Sequence, residues 1–234
     1  MSKTFYTADE LAQELGRDRR EIEKLASRGQ IPGRRVADEW RFNRVEITQW
    51  LEQEIRNFGA DDLAQLEQSQ QSVELNNQIP IADLLTLETV QVPLDAGTKP
   101  SVLRALVEVA GRTWQVFEPA AVLDAVIQRE NVMSTGFDHG VAIPHPRNPL
   151  PEALGESVIA FGRTLSGIPF GAPKRQLTDM FFLVLARDSR THLQILTRLA
   201  RLLQLPDFVP ALRAAETSPD ALAVIHEADQ RVGG

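Results

Sequence analysis

The sequence predicts two domains: a mostly α-helical winged helix-turn-helix with a small β-hairpin, and an α/β sandwich whose central mixed sheet is flanked by helices. We place the first domain at residues 1–57, a polar linker at 58–80 and the second domain at 81–234. Three observations support this division. Helix-capping patterns recur before residue 57, a segment rich in Gln, Asn and Ser follows, and strand-like runs then alternate with helical patterns.

Three short helices are predicted in the first domain, each from a polar capping residue that glutamate follows three positions later. The capping residues are Thr7, Asp18 and Asn43, and an apolar stripe at helical spacing follows each of them. The stripe expected for the third helix is Val45, Ile47, Trp50 and Leu51. A glycine at position 16 supplies a tight turn, and the run RRVADEWRF alternates around a turn-prone centre like a hairpin.

This stretch resembles the excisionase-type DNA-binding family, which is related to the N-terminal domains of MerR-like regulators. The similarity covers residues 4–52 and rests on DRREIEKLASRGQIPGRRV with the later WRF and WL. It implies that the second helix enters the major groove of DNA and that the hairpin contacts the backbone. The side chains that would then reach bases or phosphates are Arg19, Arg20, Lys24, Arg34, Arg35 and Arg41.

The distribution of charge limits the kind of DNA binding that we expect. Residues 1–57 hold 11 Lys/Arg and 11 Asp/Glu, and the other residues hold 14 and 21, which gives a net charge of −7. Nonspecific nucleic-acid binders carry a strong basic excess, so DNA contact here requires a local patch. Docking of a protein by the same module stays open as an alternative. Excisionase-like modules often act in pairs, so a homo-oligomer is compatible with the sequence.

The segment from Asn57 to Pro80 has the composition of a linker. It is rich in Gln, Asn and Ser, and it contains four acidic residues and no basic residue. A short helix from Asp61 to Gln71 fits its pattern. If the segment is flexible, it spans about 25 Å on average and lets the two domains move independently.

Strands and helices alternate in the second domain. The predicted strands are Thr89–Leu94, Ser157–Phe161 and Asp179–Leu185. The predicted helices begin at Thr98 or Lys99, at Pro119, at a capping Thr191, after Pro206 and after Pro219.

The run RENVMSTGFDHGVAIPH, residues 129–145, contains the best candidate for chemistry. Proline fixes its own φ and biases the preceding residue toward extended geometry, so Ile143 and Pro144 should present His145 rigidly, open to solvent, at a strand end. The glycines at positions 136 and 140 let backbone N–H groups approach an anion. Arg129 adds positive charge. A histidine, backbone N–H groups and an arginine together suit the acceptance of a phosphoryl group.

This run resembles the phosphorylation site of the phosphotransferase-system IIA domains of the fructose, mannitol and nitrogen-regulatory type. The shared features are the Arg-Glu pair, Ser-Thr-Gly and the Ala-Ile-Pro-His ending, and HLQILTRLARLL from His192 resembles the family's second-histidine helix. The similarity covers residues 80–228. It implies that His145 accepts the phosphoryl group, with His192 and Arg129 as its partners. The expected phosphate-binding residues are Ser134, Thr135, Gly136 and Gly140.

The implied donor is a histidine phosphocarrier protein that docks on an apolar rim around His145. The chain would then carry a phosphohistidine in a relay and would not turn over a small molecule by itself. Phosphorylation adds about two negative charges, which could change the DNA affinity of the N-terminal domain and so regulate transcription. One alternative is a phosphocarrier or protein-interaction regulator whose N-terminal module docks a protein. Another is a sensor that never carries phosphate, because Asp138 would repel it.

No cofactor, metal or membrane partner is expected. The chain has no cysteine, its four histidines lack ligand spacing, and neither a Walker loop nor a Rossmann fingerprint is present. The N-terminus lacks an apolar signal-peptide core, and the longest apolar run, Phe181–Ala186, is too short to span a bilayer. A cytoplasmic location is therefore expected.

Overall fold

The structure is a computed structural model that describes residues 4–71 and 80–233. It divides into two units, the first formed by Met1–Gln78 with Leu196–Arg201 and the second by Ile79–Ile195 with Leu202–Gly234. The first is helical with a small antiparallel sheet, and the second has a mixed sheet flanked by helices. The predicted fold class is thereby confirmed.

The helix-turn-helix part of the first unit consists of three helices and three short strands. The helices are α1 (Ala8–Leu15), α2 (Arg19–Ser27) and α3 (Arg44–Glu54), and the strands are β1 (Phe5–Tyr6), β2 (Arg34–Val36) and β3 (Glu39–Asn43). The strands pair antiparallel in the order β1-β3-β2. Strand β1 was not predicted, because two residues are too few to show an alternating pattern.

The local signals for these elements act as the sequence predicts. Thr7 and Glu10 form a reciprocal capping box at the start of α1. Gly16 ends this helix in the left-handed region, at φ 64°. The Asn43 side chain accepts the Val45 N–H at 2.9 Å and so begins α3. One expectation is wrong: Val45 is 54% exposed. It lies two residues from the buried Ile47, and about 200° of helical rotation separates the two side chains.

The segment expected to be a linker contains a further helix, α4 (Ala60–Gln71), that packs against α1. The Ser69 hydroxyl donates to the Glu14 carbonyl at 2.8 Å, and the Gln65 side-chain amide donates to the Gly16 carbonyl. Leu63 and Leu66 are buried. The domain boundary expected after residue 57 is therefore corrected, because residues 60–71 belong to the first unit. The rest of the expected linker, residues 72–79, lies outside the described residues.

Glu67 of α4 binds two arginines within the first unit. Its carboxylate, 9% exposed, accepts from Arg198 at 2.9 Å and also from Arg201. Burial lowers the pKa of Arg201. Both arginines lie on helix α8 (Ser189–Gln204), of which residues 196–201 belong to the first unit.

Replacing Glu67 by alanine should destabilise the protein by about 3–5 kcal/mol, because two largely buried guanidinium groups then lose the carboxylate that they share. Urea unfolding followed by circular dichroism measures this change. Asp62→Ala is the matched control, since the Arg17–Asp62 ion pair is exposed and 3.4 Å long and such pairs contribute at most about 1 kcal/mol. Equal losses in the two variants would contradict this interpretation.

The second unit is a four-stranded sheet with helices around it. Its remaining helices are α5 (Ile81–Leu84), α6 (Lys99–Gly111), α7 (Pro119–Val132), α9 (Phe208–Ala214) and α10 (Ser218–Gly233). Its strands are β4 (Val90–Gln91), β5 (Val141–Ala142), β6 (Val158–Pro169) and β7 (Leu177–Leu185). The order is β4-β6-β7-β5, in which β6 and β7 are antiparallel and the two outer pairs are parallel.

The central strands of this sheet form the core. Phe161 of β6 pairs with Phe182 of β7, and their ring centroids are 4.7 Å apart. Phe170 and Phe181 make a similar contact at 5.1 Å. All four rings are buried, so the sheet is a rigid platform for the short edge strand β5. None of the described helices combines the length and the apolar character needed to cross a bilayer.

Three expected element boundaries of this unit are corrected. Strand β4 covers two residues instead of 89–94, because Pro93 has no N–H to donate to the ladder. Strand β6 continues past Phe161 as far as Pro169. Helix α8 is capped by Asp188 instead of Thr191, since the Asp188 carboxylate accepts the Thr191 N–H at 2.9 Å.

Candidate phosphoryl-acceptor site

Strand β5 and the residues after it hold the Ile-Pro step in place. Strand β5 pairs in parallel with Met180 and Phe181 of β7. Beyond the strand, the Ile143 N–H donates to the Thr135 carbonyl at 3.1 Å, and the Pro144 carbonyl accepts the Val184 N–H at 2.9 Å. The chain that leads to His145 is therefore fixed on two sides.

The orientation of the His145 ring is set by a backbone carbonyl. Its Nδ1 lies 2.8 Å from the Ile143 oxygen. A carbonyl oxygen can only accept a hydrogen bond, so Nδ1 carries the ring proton. In the neutral ring Nε2 then holds the in-plane lone pair. The structure thus distinguishes the two nitrogens, which the sequence could not do.

The second predicted histidine lies beside the first. The ring centroids of His145 and His192 are 5.0 Å apart, and the rings are inclined by 61°. His192 lies in the first turn of α8, just after the capping Asp188. The N-terminal turn of a helix favours anions, so this placement suits a phosphoryl group. Forty-seven positions of sequence therefore separate two side chains that the fold brings together.

The expected exposure of His145 is wrong for this structure. His145 is 3% exposed and His192 is 4% exposed. The physical reason is that His145 follows a strand whose residues, Val141 to Ile143, are all buried in the sheet, and that its ring packs against a second ring.

Arg129 supports the loop that follows α7. It is buried, and its Nη1 donates to the Met133 carbonyl at 2.9 Å. This bond closes the end of the helix around the start of the Ser-Thr-Gly loop. A direct contact of Arg129 with phosphate stays a prediction.

The Ser-Thr-Gly loop uses its polar groups to shape itself. The Thr135 N–H and hydroxyl both donate to the buried Glu130 carboxylate. The Ser134 hydroxyl donates to the Phe170 carbonyl at 2.9 Å and accepts the Gly136 N–H at 3.1 Å. The donors of Thr135 point to a carboxylate, and the Ser134 hydroxyl and the Gly136 N–H are likewise bound within the protein, so the phosphate-binding role of these three residues stays a prediction. The sequence analysis did not assign a role to Glu130. The Arg-Glu pair in the sequence was the signal that could have identified this residue.

One matched region contains the paired histidines, the buried arginine and the Ala-Ile-Pro-His run. Residues 83–228 match the sequence model of the phosphoenolpyruvate-dependent sugar phosphotransferase system, EIIA 2. The chain belongs to this family. Residues 5–54 match a helix-turn-helix domain. The protein therefore joins a helix-turn-helix domain to an EIIA 2 domain.

Three curated relatives each match a little under two thirds of this chain. A nitrogen regulatory protein of Bradyrhizobium diazoefficiens is 34% identical over 148 residues, which are 62% of this chain and 92% of that protein. A fructose-specific EIIA component of Haloferax volcanii is 32% identical over 63% of this chain and 97% of its own length. A fructose-specific EIIABC component of Bacillus subtilis is 28% identical over 64% of this chain, but the match spans only 24% of that protein.

Solved structures share the fold of the EIIA 2 domain. The nitrogen regulatory protein IIA-Ntr from Neisseria meningitidis superimposes with a TM-score of 0.56 and 24% identity, over 62% of this chain and 98% of that chain. The mannitol IIA of Escherichia coli gives 0.53 and 21%, over 60% of this chain and 98% of that chain.

Gly140 of the EIIA 2 domain serves packing. It has φ 80°, and a Cβ built on it would lie 2.7 Å from Arg213 Nη2 and 2.8 Å from Asp179 Oδ1. Arg213 binds the Asp179 carboxylate at 2.8 Å and 3.0 Å and also donates to the His139 carbonyl, so Asp179 raises the pKa of Arg213. The turn before β5 is thus clamped to β7 and α9. Asp138 lies exposed in the same turn.

The imidazoles of His145 and His192 in the EIIA 2 domain are potential metal ligands. The spacing of the histidines in the sequence did not predict that two of them lie side by side. Protein zinc sites generally use three or four side chains. Among the described residues of this unit, no further His, Asp or Glu lies in reach of the pair.

The six basic residues expected to contact DNA lie on α2 and the hairpin. Arg20 and Lys24 are exposed on α2. Arg19, also on α2, binds Asp9 and Glu23, each at 2.9 Å, and the hydrogen bond with Glu23 chiefly raises its pKa. The hairpin arginines are paired as well: Arg34 with Glu46, Arg35 with Asp38 and Arg41 with Glu39.

Replacing Gly140 by alanine should destabilise the protein by about 1–3 kcal/mol from backbone strain alone, and the clash with the Asp179–Arg213 pair adds to this. Thermal unfolding should show a transition several degrees lower. Gly111→Ala is the control, because a Cβ at this helical position meets nothing within 4 Å and alanine is the better helix former. If both variants melt together, the turn does not constrain the fold.

Proposed function

We propose that the chain is a phosphorylation-responsive regulator. His145 accepts a phosphoryl group from a histidine phosphocarrier protein, and the phosphorylated state changes how the helix-turn-helix domain binds DNA. The observation that carries the proposal is the bond from His145 Nδ1 to the Ile143 carbonyl. It supports the assignment of Nε2 as the nucleophile, next to a second imidazole.

The transfer is an in-line displacement at phosphorus. The Nε2 lone pair of His145 forms the new N–P bond, while the N–P bond of the donor's phosphohistidine breaks and its electron pair returns to the donor ring. The proton stays on Nδ1 of His145, where the Ile143 carbonyl stabilises the positive charge that develops on the ring. Positioning and charge stabilisation dominate such reactions.

His192 and Arg129 are the groups that would stabilise the phosphoryl oxygens. His192 lies next to His145 at a helix N-terminus, and oriented N–H groups there favour negative charge. Arg129 lies at the end of α7, where it holds the loop before Ser134. Ser134, Thr135 and Gly136 of this loop stay candidates for contacts with phosphate.

Helix α8 contains residues of both units. A phosphoryl group adds about 1.5 to 2 negative charges. His192 lies in the first turn of α8, and residues 196–201 of the same helix belong to the first unit, where Arg198 and Arg201 bind Glu67.

A second candidate function is docking of a protein by the helix-turn-helix domain. It is favoured by the ion pairs of Arg19, Arg34 and Arg35 with acidic side chains of their own unit. Arginines that are paired in this way attract phosphate less strongly than unpaired ones. The excisionase-like resemblance and the exposed Arg20 and Lys24 favour DNA.

Incubation with a phosphorylated histidine phosphocarrier protein should label the wild-type protein, whereas His145→Ala should take up no label. His226→Gln is the control, because His226 lies on α10, where its Nε2 is 3.3 Å from the Leu85 carbonyl. A label that persists in His145→Ala would refute the acceptor. Absence of label in the wild type would favour a sensor that never carries phosphate.

DNA binding should weaken on replacement of Arg20 and Lys24 by alanine, because both side chains are exposed on α2. The slope of log affinity against log salt should fall by about 0.9 for each DNA phosphate that the variant no longer neutralises. Fluorescence anisotropy over a salt series measures it, with Lys174→Ala of the second unit as the control. A DNA affinity that does not depend on the salt concentration, or no DNA binding at all, would instead support a protein partner.

A further inference from the structure

Lys99 occupies an unfavourable place for a cation. It is the first residue of α6, directly after the capping Thr98. The N-terminus of a helix carries partial positive charge, so a lysine there is disfavoured by the helix dipole. A residue that departs from a local rule is often retained for a tertiary or functional reason.

The tertiary partner of Lys99 is the buried carboxylate of Glu130. The Glu130 side chain is 1% exposed, and Lys99 Nζ lies 2.7 Å from its Oε1. The ammonium group also donates to the Phe170 carbonyl at 3.1 Å and lies 4.9 Å from the centre of the Phe170 ring. A carboxylate at this depth requires a charged partner and several hydrogen bonds to offset its missing hydration. Lys99 supplies the charge.

Glu130 in turn holds Thr135. Both carboxylate oxygens accept the Thr135 N–H at 3.1 Å, and Oε2 accepts the Thr135 hydroxyl at 2.5 Å. Hydrogen bonds to a carboxylate are stronger than those between neutral groups. The backbone of the Ser-Thr-Gly loop is therefore pinned at this residue.

Thr135 connects this ion pair to the strand that ends at His145. Its carbonyl accepts the Ile143 N–H at 3.1 Å, and the Ile143 carbonyl accepts from His145 Nδ1 at 2.8 Å. A bridge between Gly136 and Ala142 holds the same two segments together. An uninterrupted series of contacts thus runs from Lys99 through Glu130, Thr135 and Ile143 to His145.

We propose that Lys99 and Glu130 are positioning residues that set the tautomer of His145. The inference rests on the proposed phosphoryl acceptance by Nε2. Neither residue is placed in the transfer itself, since both act through the Thr135 backbone and the Ile143 carbonyl. A neutral imidazole can carry its proton on either nitrogen, and only the form with the proton on Nδ1 leaves the Nε2 lone pair for attack. If the Ile143 carbonyl is held less firmly, the tautomer with the proton on Nδ1 is no longer selected.

The variants are chosen to leave the fold intact. Thr135→Val removes the hydroxyl at nearly constant shape, and Thr135→Ser retains it. Lys99→Met removes the charge and keeps an unbranched side chain. The double variant Lys99→Met/Glu130→Gln removes both charges, so no carboxylate is left buried without its cation. Lys174→Met is the control for removal of an exposed lysine. Circular dichroism melting of the full chain checks that each variant folds.

The first readout is the tautomer of His145, measured by ¹⁵N NMR of the imidazole nitrogens and assigned with His145→Asn. The wild type, Thr135→Ser and Lys174→Met should show a protonated Nδ1 and an unprotonated Nε2. Thr135→Val and Lys99→Met should show a mixture, and the double variant should lie between Lys99→Met and the wild type. This readout needs no donor, so it tests the positioning even if the wild type proves not to accept phosphate.

The second readout is the rate of labelling by a phosphorylated histidine phosphocarrier protein. Thr135→Val and Lys99→Met should be labelled about ten to a hundred times more slowly, since small displacements of a reacting group have effects of this size. Thr135→Ser should approach the wild-type rate. The proposal is overturned if the variants fold and keep the wild-type tautomer, whether labelling is slow or normal. Lys99 and Glu130 would then only support the fold. If Lys99→Met fails to fold, the Thr135 variants decide.

Discussion

The hydrogen bond between His145 Nδ1 and the Ile143 carbonyl is the interaction on which the candidate site depends. A neutral imidazole can carry its proton on either ring nitrogen. This bond places the proton on Nδ1, because a carbonyl has no proton to donate. The bond is possible since the Ile-Pro step turns the chain so that the ring folds back over the residue two positions earlier. A local sequence feature thus has a direct chemical consequence.

The other parts of the site serve to hold that carbonyl still. Strand β5 has two residues and could not be stable alone, but β7 supports it on one side and the Ser-Thr-Gly loop supports its continuation. The loop depends on Glu130 and Arg129, neighbours at the end of α7. The turn before β5 depends on the Asp179–Arg213 pair. The Glu130 carboxylate would be costly to bury alone, but it is paired with Lys99 and fixes the backbone of Thr135.

Charge pairing also characterises the helix-turn-helix unit. The ion pairs on its surface neutralise most of the arginines expected to face DNA, which agrees with the zero net charge of residues 1–57. Its fourth helix, α4, lies in a stretch whose composition resembles a linker, and it is stabilised by packing on α1 and by the carboxylate of Glu67. Composition alone therefore gives the wrong boundary, because a polar helix gains its stability from tertiary contacts.

The sequence by itself determined the two-domain fold class, most helix starts and the two histidines, because capping residues, apolar periodicity and the Ala-Ile-Pro-His run are local patterns. It also singled out Arg129. Only the tertiary structure decided which ring nitrogen of His145 is protonated, that the ring is buried, and that Thr135 faces Glu130. The physical reason is that tautomer, burial and ion pairing depend on groups distant in sequence: Lys99 meets Glu130, and His145 meets His192, only after the sheet and helices have packed.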